Sequence, residues 1–257
     1  MTLIDTHTHL YLPEFDEDRT EVVRRAQEQG VLKCILPNID SESLPQIKKM
    51  KAEFPDFCEM AMALHPTSVK DNFQEELAIC YEELKTGKYM AIGEMGIDLY
   101  WDKTFYEQQK QAFTTQIKWA EAFDLPIIIH SRDSFSEIFD LMDDLWTPQL
   151  QGVFHCFSGT QQEAEKIIKD YKFKLGLGGV LTFKNATLRE EIKDISCEHF
   201  LLETDAPFLA PVPYRGKRNE SAYVSLVAQK LAEVKGCTIE EIADITTENA
   251  RQLFFRN

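Results

Sequence analysis

Two histidines stand two positions apart near the start of the chain, His7 and His9, within the segment "LIDTHTHL" (residues 3–10). In a β-strand, side chains at i, i+2 and i+4 point to the same face, so Asp5, His7 and His9 are expected to share one. Imidazole and carboxylate groups on one face are suited to metal ligation or proton transfer. The segment alone leaves two possibilities open: satisfied polar residues of the core, or residues that hold a bound ion.

Further histidines and acidic residues recur at the ends of short apolar segments along the chain. Each such segment has the composition of a buried strand, and the polar residue stands near its carboxyl end. A buried polar group costs about 1–3 kcal/mol unless it is paired, so core packing explains so many of them poorly. The set best suited to metal ligation contains four imidazoles and two carboxylates: His7, His9, Glu94, His130, His155 and Asp205.

This ligand set predicts a site for two metal ions. Neutral imidazole and carboxylate suit zinc, manganese, iron or nickel better than calcium or magnesium alone. One catalytic zinc usually takes three protein ligands and keeps a position for water. Six ligands therefore suit two ions that share a bridging carboxylate at a separation of roughly 3.5–4 Å. We predict two divalent ions, drawn from zinc, manganese, magnesium, nickel and iron.

The elements that must position these residues alternate between short apolar segments and longer amphipathic ones. Eight segments have the length of buried strands, and the segments between them carry apolar residues at helical spacing. Because crossovers of helical length connect the strands, the strands are expected to be parallel. The predicted strands are residues 3–9, 31–37, 58–65, 89–95, 126–131, 152–157, 173–178 and 200–205, and two helices follow at 221–235 and 239–254.

The closed architecture that matches this pattern is an α/β fold, the (β/α)8 TIM barrel of parallel strands, with an additional C-terminal helix. The rival is an open doubly wound sheet. A glycine-rich loop after the first strand would favour that rival, and this chain lacks such a loop. No segment rich in Pro, Gly or Ser divides the chain, so residues 1–257 are predicted to form a single domain. In a barrel the carboxyl ends of the strands form the face that carries active sites, where these ligands would meet.

The composition limits the class of protein. Hydrophobic residues make up 44%, and no run of eighteen apolar residues predicts a membrane span. The six cysteines form no C-x-x-C pair and the N-terminus lacks the features of a secretion signal, so we expect a cytoplasmic protein with reduced thiols. The net charge of −15 disfavours nonspecific binding to nucleic acid. It does not exclude a polyanionic substrate that binds at a locally positive site. No obligate protein partner is predicted.

Six segments carry a family likeness: "IDTHTHL", "AIGEMGIDLYWD", "PIIIHSRD", "GVFHCFSG", "LLETDAPFLAP" and "RGKRNE". In this order, over residues 3 to about 255, they closely resemble the TatD family of metal-dependent hydrolases, within the amidohydrolase-like superfamily. The resemblance implies a metal-dependent barrel hydrolase, and family members are known as deoxyribonucleases that act on phosphodiester bonds. The implied substrate is DNA, with RNA or tRNA as further possibilities.

The resemblance also implies roles for single residues. His7 and His9 match the ligands of one metal, and Glu94 matches the acid that bridges both metals. His130 and His155 match the histidines of the second metal.

The resemblance and the chemistry together assign the catalytic residue. Asp205 matches the family's aspartate at the eighth strand, and we expect it to orient a metal-activated water and accept its proton. At the third strand the family usually reads G-x-H-P-H, whereas this chain reads "ALHPTS". His65 therefore stays a predicted substrate contact, and Thr67 stands in place of the second histidine.

Other residues are expected to support the ligands or to contact substrate. Asp5 and Glu203 share strand faces with ligands, so they either accept hydrogen bonds from ligand groups or are polar core residues. Asp98 is expected near the site, where it shapes the loop after the fourth strand. Tyr100 and Trp101 offer a stacking surface for a base, or pack that loop. The predicted phosphate contacts are basic residues on the predicted catalytic face: Arg132, Arg215, Lys217 and Arg218.

The leading hypothesis is a TatD-type deoxyribonuclease that cleaves single-stranded or frayed DNA through a metal-activated water. The alternative is a metal-dependent esterase or amidohydrolase, such as an aminoacyl-tRNA deacylase or an amide or lactone hydrolase. The basic residues favour a phosphate-bearing substrate but do not select the scissile bond. A non-catalytic metal-binding protein is disfavoured, because the ligand set is complete and includes a candidate base.

Overall fold

Eight parallel strands form two sheets, in the order β1-β2-β3 and β4-β5-β6-β7-β8. The structure is a computed structural model that describes residues 1–255. The strands are mostly buried on both faces, which is usual for parallel sheets covered by helices. Their bounds are Leu3–Asp5 (β1), Val31–Pro37 (β2), Cys58–Ala61 (β3), Ile92–Asp98 (β4), Ile127–Arg132 (β5), Gly152–Phe154 (β6), Lys174–Leu177 (β7) and Phe200–Leu202 (β8).

Parallel bridges join the two sheets at both of their edges. Ala61, at the end of β3, bridges to Ala91, which immediately precedes β4. Thr8, beyond β1, bridges to Ala206, beyond β8. The eight strands therefore close into a parallel (β/α)8 barrel, and the predicted fold class is confirmed.

Helices connect consecutive strands, and their ends carry recognisable sequence signals. Two helices begin with a capping box, formed by Thr160 with Glu163 and by Thr238 with Glu241. Within residues 1–255, every helix is too short or too polar to span a bilayer. The helices are Arg19–Glu28 (α1), Leu44–Glu53 (α2), Phe73–Leu84 (α3), Tyr106–Phe123 (α4), Phe135–Leu145 (α5), Gln161–Lys169 (α6), Leu188–Glu191 (α7), Val224–Lys235 (α8) and Ile239–Phe254 (α9), with short 3₁₀ helices at Pro13–Phe15, Pro66–Ser68, Gly179–Thr182, Cys197–His199 and Ser221–Tyr223.

One end of the barrel interior is apolar. The additional helix α9 packs its final turn against a buried cluster contributed by the strands. Strand alternation then brings polar residues onto the same face further along: His130 follows Ile128 by two positions, and His155 follows Val153 by two. The strand residues of this cluster include Ile4, Ile35, Ala61, Ile128, Val153 and Leu201.

Of the eight strands, β2 alone keeps its predicted bounds. β3, β6 and β8 end three or four residues early, β5 is shifted by one residue, and β7 is one residue shorter at each end. β1 and β4 differ for local reasons. β1 ends at Asp5 rather than at residue 9, because the Asp5 carboxylate, and not a neighbouring strand, accepts the His7 N–H at 3.4 Å. β4 starts three residues late and continues to Asp98, paired with β5 throughout its second half. That pairing needs glycine at position 96, where a Cβ atom would lie 1.9 Å from the carbonyl oxygen of His130.

Candidate metal centre

The six predicted ligands converge at the carboxyl end of the barrel. They come from the segment after β1, from β4 and β5, and from the segments after β6 and β8. A cavity of about 670 Å³ opens there, within the size range of small-molecule and cofactor sites. Five of the six line it: His9, Glu94, His130, His155 and Asp205.

One oxygen of Glu94 lies among the ligands from β1 and β8. Glu94 Oε2 is 3.0 Å from His7 Nε2 and 3.7 Å from His9 Nε2. Asp205 Oδ1 is 3.9 Å and 3.5 Å from the same two nitrogens. Ligands about 2.0–2.2 Å from one metal ion are separated by such distances. These four side chains are called the first donor group.

The other oxygen of Glu94 lies among ligands from β5 and β6. Glu94 Oε1 is 2.7 Å from His130 Nδ1 and 3.6 Å from His155 Nε2. These three side chains are called the second donor group. Glu94 belongs to both groups, which is the position of a carboxylate that bridges two metal ions.

The pKa values of both central carboxylates are lowered, although Glu94 is buried and Asp205 is partly buried. Burial acts to raise the pKa of Glu94, but the surrounding histidines hold that pKa well below its usual range. Asp205 behaves in the same way, because His9 and His155 lower its pKa against the effect of burial. Burial lowers the pKa of His7, which favours the neutral ring that a metal ion needs. This donor chemistry fits divalent transition metals.

In the first donor group, the ring of His9 is oriented by a neutral hydroxyl. His9 Nδ1 lies 2.8 Å from Tyr11 Oη, and Tyr11 donates its own proton to the carbonyl of Pro37 at 2.7 Å. The hydroxyl therefore accepts from Nδ1–H, which leaves the Nε2 lone pair directed at the centre. His7 Nδ1 is buried and has no hydrogen-bond partner among the described residues.

In the second donor group, both rings lie against carboxylates. His130 Nε2 is 3.0 Å from Asp98 Oδ2. His155 Nδ1 is 2.9 Å from Glu203 Oε1, in an ion pair whose geometry falls outside that of a hydrogen bond. Glu203 fits here because position 176 is glycine, where a Cβ atom would lie 2.4 Å from Glu203 Oε2.

Comparison with known proteins places this geometry in a family. The family model described as "TatD related DNase" matches residues 4–255. The uncharacterized metal-dependent hydrolase YabD of Bacillus subtilis is 42% identical, over 98% of this chain and 98% of that protein. The chain belongs to the TatD family.

Two further TatD relatives are similar to this chain, one in a comparison of sequences and one in a comparison of structures. The 3'-5' ssDNA/RNA exonuclease TatD of a Rahnella species is 33% identical, over 94% of each protein. The crystal structure of YjjV, a TatD homologue from Escherichia coli, superimposes with a TM-score of 0.89 at 29% identity, covering 99% of this chain and 98% of that one. The chain is thus a metal-dependent hydrolase of the TatD family.

His65 lies beside the second donor group in this TatD chain, with its Nε2 atom 3.3 Å from Glu94 Oε1. Its Nδ1 atom accepts the backbone N–H of Thr67 at 3.1 Å. Because a backbone N–H can only donate, the neutral ring carries its proton on Nε2. His65 therefore presents a hydrogen-bond donor to the cavity, and its lone pair, on Nδ1, faces away from the centre and accepts from Thr67.

Of the four predicted phosphate contacts, the structure brings one to the cavity. Arg132 lines it, whereas the other three are absent from its described lining. The guanidinium of Arg218 pairs with both carboxylate oxygens of Asp18, at 2.8 and 2.7 Å, and Arg215 lies 3.6 Å from the ring centroid of Phe183. Lys217 is exposed. The phosphate contact by Arg218 stays a prediction, and the structure places this guanidinium on Asp18.

The segment "RGKRNE" instead supports the turn that carries Asp205. The Asn219 amide donates to the carbonyls of Thr204 and Phe208, each at 2.7 Å, and its backbone N–H donates to Pro207 at 3.0 Å. Asp205 itself has a left-handed φ of 56°, which is uncommon for a residue other than glycine. The neutral Asn219 thus holds a strained turn, a role that the charges of the segment do not indicate.

Asp5 also supports this turn. Its carboxylate accepts hydrogen bonds from Thr204 and not from a histidine ring. The donors are the backbone N–H of Thr204 at 3.0 Å and the Thr204 hydroxyl at 2.7 Å. Burial raises the pKa of Asp5 to about 7. Of the two possibilities stated for Asp5, the structure therefore favours a polar core residue that joins the β1 segment to the β8 segment.

Proposed function

We propose that this TatD-family chain hydrolyses phosphodiester bonds of single-stranded DNA at a centre that holds two divalent metal ions. The observation that carries the proposal is the position of Glu94, whose two oxygens lie among different sets of histidines. A carboxylate shared by two ions suits a displacement at phosphorus, in which both the attacking and the leaving oxygen need stabilisation. The names of the Rahnella and Erwinia relatives, 3'-5' ssDNA/RNA exonucleases, support this substrate.

The side chains around the centre divide the remaining tasks. Bound metal ions supply a water of lowered pKa and neutralise charge on the phosphoryl oxygens. The Asp205 side chain is 14% exposed and that of Glu94 is 3% exposed, so Asp205 is the more exposed of the two carboxylates that line the cavity. We assign Asp205 to orient the attacking water and accept its proton. His65, through Nε2–H, and Arg132, through its guanidinium, bind the phosphoryl oxygens.

The number of ions is tested by metal analysis of fully loaded protein. We expect two equivalents, and one equivalent in a variant that loses the second donor group alone, such as His130→Ala with His155→Ala. A maximum of one equivalent in the unaltered protein contradicts the shared role of Glu94. Loading with zinc, manganese, magnesium, nickel and iron in turn identifies which ion supports turnover.

The reaction is tested by incubating the metal-loaded protein with labelled oligonucleotides, aminoacyl-tRNA, simple esters and lactones. We expect shortening of single-stranded DNA, with chelation by EDTA as the control that abolishes it. Clear hydrolysis of esters, amides or lactones without cleavage of any nucleic acid contradicts the proposed nuclease function. That result favours the esterase or amidohydrolase alternative.

A further inference from the structure

Two aromatic side chains are exposed beside the metal centre, in the loop after β4. Tyr100 is 53% exposed and Trp101 is 69% exposed, the largest value among the exposed large hydrophobic residues of the described chain. Trp101 also lines the cavity that contains the donor groups. An indole ring left in water forgoes the free energy of apolar burial, so its position at a cavity wall indicates a binding surface.

The guanidinium of Arg132 lies over these two rings. Its central carbon is 3.9 Å from the ring centroid of Tyr100 and 5.2 Å from that of Trp101. A guanidinium stacked on a ring keeps the N–H groups at its edge available to a phosphate. Tyr100, Trp101 and Arg132 together are called the aromatic platform.

Asp98 fixes the aromatic platform relative to the metal centre. Its Oδ1 atom accepts the backbone N–H groups of Tyr100 at 3.0 Å and Trp101 at 3.2 Å. Its Oδ2 atom lies 3.0 Å from Nε2 of His130, whose Nδ1 atom faces Glu94. One carboxylate therefore orients both a ligand of the second donor group and the loop that carries the rings. The rings are therefore held at a fixed distance from the metal centre.

We propose that Trp101 stacks on an unpaired nucleobase next to the scissile phosphate, while Arg132, supported by Tyr100, binds the adjoining phosphate. This inference rests on the proposed nuclease function and adds what the enzyme requires of its substrate. A paired base inside a duplex is covered on both faces, so a free face is available only on an unpaired strand. Every base has such a face, and the enzyme therefore selects unpaired, base-bearing strands without reading their sequence.

The test uses metal-loaded full-length protein and two single-stranded oligonucleotides that differ only by one abasic residue at the scissile position. For the unaltered protein we expect the abasic strand to have a KM higher by about 10-fold to 100-fold, from the usual contribution of one base–aromatic stack. In Trp101→Ala we expect this ratio to collapse toward one, because the base has lost its partner. Trp101→Phe keeps a ring and restores most of the ratio.

Tyr81→Ala is the matched control, since Tyr81 is an exposed aromatic residue on α3 that packs against Trp119 and does not line the cavity. It leaves the ratio unchanged. If Trp101→Ala weakens turnover of both strands equally, Trp101 only packs the loop and the inference is wrong. If the unaltered protein cleaves neither strand, the nuclease function fails first, and the two failures are distinguished.

Discussion

The two donor groups of the metal centre share Glu94, but the histidine ring nitrogens that face away from Glu94 have different partners. In the first donor group, one ring is bonded to the neutral hydroxyl of Tyr11, and the other has no hydrogen-bond partner among residues 1–255. In the second donor group, each ring lies against a carboxylate, that of Asp98 or that of Glu203. A carboxylate behind a ligand histidine makes the ring a stronger donor to a metal ion, and also a stronger base.

This difference separates the two groups by their affinity for protons. Burial lowers the pKa of His7 in the first group. Burial acts in the same direction on His155, but the carboxylates of Glu203 and Glu94 outweigh it and raise its pKa to about 10. The pKa of His130 is also raised, by Asp98 and Glu94 against the effect of burial. A metal ion must therefore displace protons from the histidines of the second group, whereas burial already favours the neutral ring of His7.

The largest expected effect comes from Asp205, the one ligand of the first group assigned to proton transfer. Asp205→Asn removes the base but keeps a similar shape, so we expect kcat to fall by about 10²-fold to 10⁴-fold with metal still bound. Steady-state kinetics and metal analysis of the same preparation measure both quantities. Near-normal turnover in this variant contradicts the assignment of Asp205 as the base.

Next come the carboxylates behind the second donor group. Asp98→Asn and Glu203→Gln are each expected to weaken binding of one metal equivalent by about 10-fold to 100-fold, the usual effect of removing such a partner. The other equivalent retains its affinity, and competition titrations with a metal-binding dye resolve the two. Equal weakening of both equivalents contradicts the division into two groups.

The pH dependence of the metal-free protein follows from the raised pKa of His155. A raised histidine pKa means that the folded protein holds this proton more tightly than the unfolded chain does. The stabilisation is therefore fully present below about pH 6.5 and is lost as the pH rises through about 10. Urea unfolding of EDTA-treated protein across this window tests it, and Glu203→Gln is expected to flatten the profile. An equally steep loss in that variant assigns the effect to another group.

The smallest expected effect lies behind the first donor group. Tyr11→Phe removes one neutral hydrogen bond to His9, worth about 0.5–1.5 kcal/mol, so metal affinity is expected to fall by only about 2-fold to 12-fold. The same titration measures it. A loss as large as that in Glu203→Gln indicates that charge behind the ring is not the feature that distinguishes the groups.

The fold and the convergence of the six predicted ligands are both readable from the sequence, because each depends on local signals. Strand alternation brings His130 and His155 onto the same interior face, two positions beyond Ile128 and Val153. Their histidine and carboxylate types then indicate metal chemistry. Tyr11 continues the same alternate spacing after His9, so a signal for it existed although it was missed.

The contacts that sequence reasoning missed join distant parts of the chain. Arg218 and Asp18 are 200 positions apart, and no local pattern shows that the guanidinium is already paired. Asn219 carries no charge, and its role depends on the position of the carbonyls of Thr204 and Phe208 after folding. Charge alone therefore overestimates how many basic residues are free to bind phosphate.

Anomalous X-ray scattering from crystals loaded with zinc or manganese tests the shared position of Glu94 most directly. We expect two peaks, one within coordination distance of His7, His9 and Asp205 and the other of His130 and His155, with one Glu94 oxygen on each. A single peak after full loading, or two peaks that Glu94 does not join, contradicts a two-metal centre built around this carboxylate.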